Sequence, residues 1–193
     1  MVLLDITDEH PNFIKILPYI KNGIVIDTSV MKIYIDGFIS SKFSDRYAPE
    51  YEQLISLFEF IHIIKKGDGE EYNWNKFLIT PHIFTEICSH INKDYRKRYN
   101  YNKIIETMVP ILKEIKENQI DKDKILDYID IKNPIIEIGD ISIFLTIKNY
   151  EDSNEKIAVL EKDGRFLEKY GDSNNKKVMV IDFNKTISDM KNL

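Results

Sequence analysis

One cysteine, Cys88, stands in 193 residues. An intrachain disulfide is therefore excluded, and so is a zinc site built on thiolates, which needs several Cys or His at close spacing. A reducing, cytoplasmic setting follows from the same scarcity. No apolar run comes near the roughly 20 residues that span a bilayer, so the chain is expected to be soluble with no membrane partner. The apolar opening, Met1 to Ile6, has no basic leader and soon meets Asp5, Asp8, Glu9 and His10. That pattern predicts no signal peptide. Positive charge is also in short supply: 27 Lys and Arg against 32 Asp and Glu give a formal net charge of -5. A protein that coats DNA through phosphate contacts alone would be basic. An enzyme that concentrates carboxylates around a metal is not excluded, because the cation neutralises them locally. His10, His62, His82 and His90 lack zinc-like spacing. Neither a glycine-rich phosphate loop nor a Gly-x-Ser-x-Gly elbow occurs. Cys88, between apolar residues, reads as inert packing.

What is present is enough apolar sequence, 43% of the chain, for one compact domain with a core. Gly23-Ile24-Val25-Ile26-Asp27, Ile157-Ala158-Val159-Leu160 and Val178-Met179-Val180-Ile181 are apolar and mostly β-branched without alternation. Such runs predict central parallel strands covered on both faces, and Phe77-Leu78-Ile79-Thr80 is a fourth candidate. Between them, Tyr51 to Ile61 and Tyr101 to Ile115 carry apolar residues at helical spacing. A further helix is predicted from Pro81 to Ile91 with Thr80 as its cap, and another opening at Gly139-Asp140. The stretches 67–71 and 171–175 read as surface loops. Strands alternating with helices indicate an α/β fold with a mostly parallel sheet flanked by helices. Ligands in such sheets bind outside the carboxyl ends of the strands.

That rule selects the acids. Asp27 ends the first predicted strand, ahead of Thr28 and Ser29, and Asp163 follows a later strand in Glu161-Lys162-Asp163-Gly164-Arg165-Phe166. Taken singly, Asp27 reads as a helix cap and Asp163 as a turn residue. Glu86 alone is a partly exposed helical glutamate, and Asp140 an anion favoured by a helix start. Two acids at strand ends carry more weight together, since a shared sheet edge brings distant residues side by side.

Taken in order, these segments resemble the PIN-domain family of nucleases. The resemblance lies in an acid ending the first strand before Thr or Ser (Asp27-Thr28-Ser29) and a Pro-initiated helix with an acid (Pro81 to Glu86). It continues with a Gly-Asp helix start (Gly139-Asp140) and an acid at a strand end (Asp163-Gly164-Arg165-Phe166). It covers roughly Gly23 to Phe183. One departure is Glu161, which stands where the family usually has Thr or Ser two residues before the last acid. The resemblance implies a single PIN-like α/β/α domain over 23–193 behind an N-terminal extension, 1–22. It also implies a metal-dependent endoribonuclease with Asp27, Glu86, Asp140 and Asp163 around Mg²⁺ or Mn²⁺. Thr28, Ser29 and Glu161 would support that site. Oxygen ligands suit these hard cations and would serve zinc poorly.

Lys93, Arg96, Lys97 and Arg98, interleaved with tyrosines after the Glu86 helix, and Arg165 are the candidate RNA contacts; the plainer reading is a solvated helix start whose tyrosines pack inward. The expected partners are RNA, an antitoxin protein if the chain is a VapC-like toxin, and a second copy meeting at the Tyr51–Ile61 helix. Two other functions stay open. One is a PIN-like nucleic-acid-binding or scaffold protein with little catalysis, and the other is a structure-specific DNA nuclease.

Overall fold

A computed structural model of the chain describes residues 2–3, 13–44, 48–61, 63–65, 71–98, 100–129, 138–162, 164, 166, 168 and 176–191. In chain order, β1 (Val2–Leu3), α1 (Phe13–Ile20) and β2 (Ile24–Ile26) lead into α2 (Thr28–Phe43) and α3 (Pro49–Phe60). A short hairpin, β3 (Ile64–Lys65) and β4 (Glu71–Tyr72), precedes β5 (Phe77–Ile79), α4 (Pro81–Tyr95) and α5 (Tyr101–Glu114). Next come β6 (Lys116–Glu117), α6 (Lys122–Asp127) and α7 (Ile138–Asp152). Last are β7 (Ile157–Glu161), β8 (Val178–Asp182) and α8 (Phe183–Lys191).

The central sheet has six strands in the order β1-β8-β7-β2-β5-β6, and every pairing is parallel. The helices flank it as one α/β/α domain. Each residue of β2, β5 and β7 is buried, which is why these strands show no polar alternation. Gly23, just before β2, has φ +126, where a methyl group would also stand 2.9 Å from Leu78; a side chain there is both strained and blocked.

Two described parts of the stretch 1–22 pack on the sheet. Val2–Leu3 pairs with Met179 and Val180 as the edge strand, and α1 packs on β7 and β8 with Ile16, Tyr19 and Ile20 buried. The predicted loop 171–175 lies outside the described residues. Of the stretch 67–71, only Glu71 falls inside them, in β4.

On α3, Leu54, Leu57 and Phe58 are buried, and Tyr51 lies where a methyl group on Gly37 of α2 would stand 2.1 Å from its Cβ. The apolar face expected to meet a second copy is taken up inside the molecule, against α2. Trp74 joins Tyr34, Phe58, Tyr72 and Phe77 in one aromatic cluster beside it.

Candidate active site at the carboxyl edge of the sheet

From β2 the chain runs to β5 and then β6 on one side, and returns to β7 and β8 on the other. The strand order therefore reverses between β2 and β7, and a crevice opens outside the carboxyl ends at such a reversal. Asp27 stands there. Its backbone N–H donates to Leu160 O of β7 at 3.0 Å. Its carboxylate caps α2, with Oδ2 accepting from Ser29 N at 3.2 Å and from the Ser29 hydroxyl. The capping reading and the placement at the sheet edge are thus both met by one residue.

Thr28 makes the contact that decides the site's shape. Its hydroxyl donates to Glu86 Oε2 at 2.6 Å across 58 residues of sequence. Glu86 sits on α4, which starts on Thr80 as predicted: Thr80 Oγ1 accepts from Ile83 N at 3.3 Å, with Pro81 at the first turn. A methyl group at Gly139 would stand 2.8 Å from Glu86 Oε1, so the carboxylate lies against the start of α7. The two helix starts are also locked by the buried Thr80–Ser142 hydroxyl pair at 2.7 Å. Asp140 follows in the first turn of α7, half-buried. Three of the four predicted segments therefore meet at one edge. Asp163 and Arg165 lie outside the described residues.

Two other acids on this edge have structural work. Glu161, 4% exposed, accepts the Phe166 N–H at 2.9 Å through Oε2, so it holds the turn after β7. Asp182, its partner in register on β8, accepts from Lys185 N at 3.0 Å at the start of α8. Nothing in the sequence marked Asp182 as a member of this edge.

The donors at hand are oxygens, the chemistry a hard cation prefers. Among the described residues, no group of three or more His, Cys, Asp or Glu side chains stands close enough to hold a metal ion. The fit to Mg²⁺ or Mn²⁺ is therefore one of donor type.

The basic segment spans the last turn of α4 and the residues just beyond it. Lys93, Arg96, Lys97 and Arg98 are exposed, while Tyr95 is buried at 4%. The Tyr95 hydroxyl donates to Asp36 Oδ1 at 2.5 Å, and Arg98 lies 4.4 Å over its ring. Burial first, then the hydrogen bond and charge of Asp36, push the Tyr95 phenol well above its ordinary pKa.

A second polar group went unread in the sequence. His90 Nε2 is 2.7 Å from Asp36 Oδ1, and its Nδ1 is 2.8 Å from Asp94 Oδ2. The i,i+4 spacing of His90 and Asp94 was the available signal. His10 and His62 lie outside the described residues. Cys88 is exposed rather than packed inside, and partial burial holds its thiol above the usual range.

No family model matches the chain, and no curated protein matches it. Among solved structures, the crystal structure of PAE2754 from Pyrobaculum aerophilum is similar with a TM-score of 0.47 and 14% identity, over 89% of this chain and 98% of that one. A likeness of that degree carries no argument about the site. No helix among the described residues is long and apolar enough to cross a membrane.

Proposed function

We propose that this edge is the active site of a metal-dependent endoribonuclease of PIN type. The observation that carries the reading is the Thr28–Glu86 hydrogen bond with Glu86 laid against Gly139. It draws the β2 end, α4 and the start of α7 together at the point of strand reversal. Asp27, Glu86, Asp140 and Asp163 are the residues that would hold Mg²⁺ or Mn²⁺. A cation bound there would neutralise charge on the phosphate and activate the attacking water.

The chain's own residues set the stage for that chemistry. Ser29 fixes Oδ2 of Asp27 and Thr28 fixes Oε2 of Glu86. Each carboxylate keeps one oxygen, Oδ1 or Oε1, that takes no hydrogen bond among the described residues. The carboxylates are pre-oriented without being used up. Glycine at 139 leaves the room that Glu86 occupies.

An activated water needs no 2′-hydroxyl, so the products carry 5′-phosphate and 3′-hydroxyl ends, and EDTA abolishes cutting. Asp27→Asn keeps a good helix cap and lowers the rate by roughly a thousandfold, a size ordinary for removal of a group that stabilises the transition state. Mass spectrometry of cleaved RNA decides: a 2′,3′-cyclic phosphate, or full activity in EDTA, overturns the reading. The lack of a three-acid group among the described residues favours a second reading, an RNA-binding protein that does not cut. RNA bound and left intact with Mn²⁺ present would select it.

A further inference from the structure

The edge that carries Asp27 continues into a cleft of about 540 Å³ between α2 and the first turn of α3. Its floor is one stripe of α2, namely Ser29, Lys32, Ile33, Asp36 and Ser40, spaced as one helix face. Its far wall is Pro49, Glu50 and Tyr51, and Lys162 closes the side nearest β7. Ser29 is shared: its hydroxyl holds Asp27, and its residue lines the cleft. The cleft therefore opens directly beside the candidate acids, with a volume in the range of sites for nucleotide-sized ligands.

We propose that this cleft is the subsite that takes the phosphodiester backbone of single-stranded RNA next to the bond to be cut, with Lys32 and Lys162 as its phosphate contacts. The inference rests on the nuclease reading above and says where the strand lies.

Four charged side chains line the cleft, two of each sign, so the balance depends on which are engaged. Asp36 is turned to α4, where its Oδ1 meets both the Tyr95 hydroxyl and His90. Glu50 is paired with Lys162 at 3.2 Å. That pair is partly open to solvent, the kind worth little in place, and a phosphate oxygen can replace the carboxylate on Nζ. Lys32 is exposed and makes no ion pair among the described residues. The four formal charges cancel, and the groups that can meet a phosphate are Lys32 and, once Glu50 is displaced, Lys162.

The cleft also indicates how the strand is read. Tyr51 is its aromatic wall, but its ring packs against Tyr34 at 5.8 Å and its Cβ abuts Gly37, so it is not free to stack on a base. Recognition falls to phosphate contacts, which position a strand without reading its sequence. The basic residues at the end of α4 do not line the cleft. Arg96 lies ten residues beyond Glu86, about 15 Å along the helix at 1.5 Å per residue.

The test is fluorescence anisotropy of a labelled twelve-nucleotide oligouridylate in EDTA, with the full chain and a parallel cleavage assay in Mn²⁺. Lys32→Glu with Lys162→Glu should weaken binding by about tenfold or more, and reduce the salt slope by about 0.7 for each phosphate that is no longer neutralised. Lys97→Glu should change affinity by less than about twofold, since Lys97 is exposed and does not line the cleft. Circular dichroism confirms that each variant folds. Wild type that cuts RNA while the cleft variants bind like wild type, or while Lys97→Glu is the damaging change, overturns the inference alone. Wild type that neither binds nor cuts the oligonucleotide removes the nuclease reading and the subsite with it.

Discussion

Helix α2 has two seams, and they are built from opposite materials. Toward α3 and β5 it presents Tyr34, stacked on Phe38 of the same helix, to Phe58 and Trp74, with Phe77 against Phe58 and Gly37 pressed onto Tyr51. Toward α4 it presents Thr28 and Asp36, which meet Glu86, His90 and Tyr95 through hydrogen bonds. Dispersion and burial hold the first seam and care little about direction. Hydrogen bonds hold the second, and they fix where particular oxygens stand. The aromatic seam carries stability, and the polar seam carries position.

Truncation separates the two most strongly. Trp74→Ala removes the ring that touches Tyr34, Tyr72, Phe58 and Phe77 and should cost about 3–5 kcal/mol. Urea unfolding reads it. A loss below about 1 kcal/mol, the level of an ordinary surface change, would break the comparison.

Placing the same methyl group in two locations sharpens it. At Gly37 an alanine Cβ would meet Tyr51 Cβ, an atom close to the backbone that can move only with its helix. Overpacking of that kind costs about 3 kcal/mol, of which better helix propensity offsets about 1, leaving about 2 kcal/mol of destabilisation. At Gly139 the methyl group meets the far end of Glu86, which swings away cheaply. Gly139→Ala should leave the melting temperature nearly unchanged and slow cleavage instead, by about tenfold, as when a ligand is no longer held in its orientation. A Gly139→Ala variant that loses stability but cuts at the wild-type rate would contradict the division of labour.

The smallest effect is a pH dependence confined to the polar seam. Tyr95 is held above its unfolded pKa, chiefly by burial. A raised folded pKa gives stability that is whole below the unfolded value and is lost as pH rises through the folded one. The contribution therefore persists below about pH 10, the unfolded phenol value, and decays above it. Tyr95→Phe should cost about 1 kcal/mol at neutral pH and flatten the fall in melting temperature above about pH 10. An unchanged slope would mean that the Asp36–Tyr95 contact is not part of the stability of this seam.

Much of the frame was legible because it depends on local composition. The three short apolar runs and the fourth candidate became β2, β7, β8 and β5, and Thr80-Pro81 and Asp27 became helix starts, since caps and buried strands are written in adjacent residues. The two-residue strands β1 and β6 were not legible: each is held by a neighbouring strand far away in sequence, and no local pattern marks them. The role of Glu161 was open for the same reason, as its choice between a ligand site and the Phe166 N–H rests on a turn five residues on.

By itself, the sequence determined that this is one α/β chain without disulfides, and that Asp27 would stand at a strand end before a helix. Strand order was beyond it, because parallel neighbours are joined by long crossovers whose direction no short segment encodes. Only the tertiary structure decided that the chain reverses between β2 and β7, and that Thr28 would bind Glu86. It also turned α3's apolar face inward and tied Asp36 to His90 and Tyr95. These are contacts between side chains more than fifty residues apart or between packed helix faces, and they come into being only when the crossovers close.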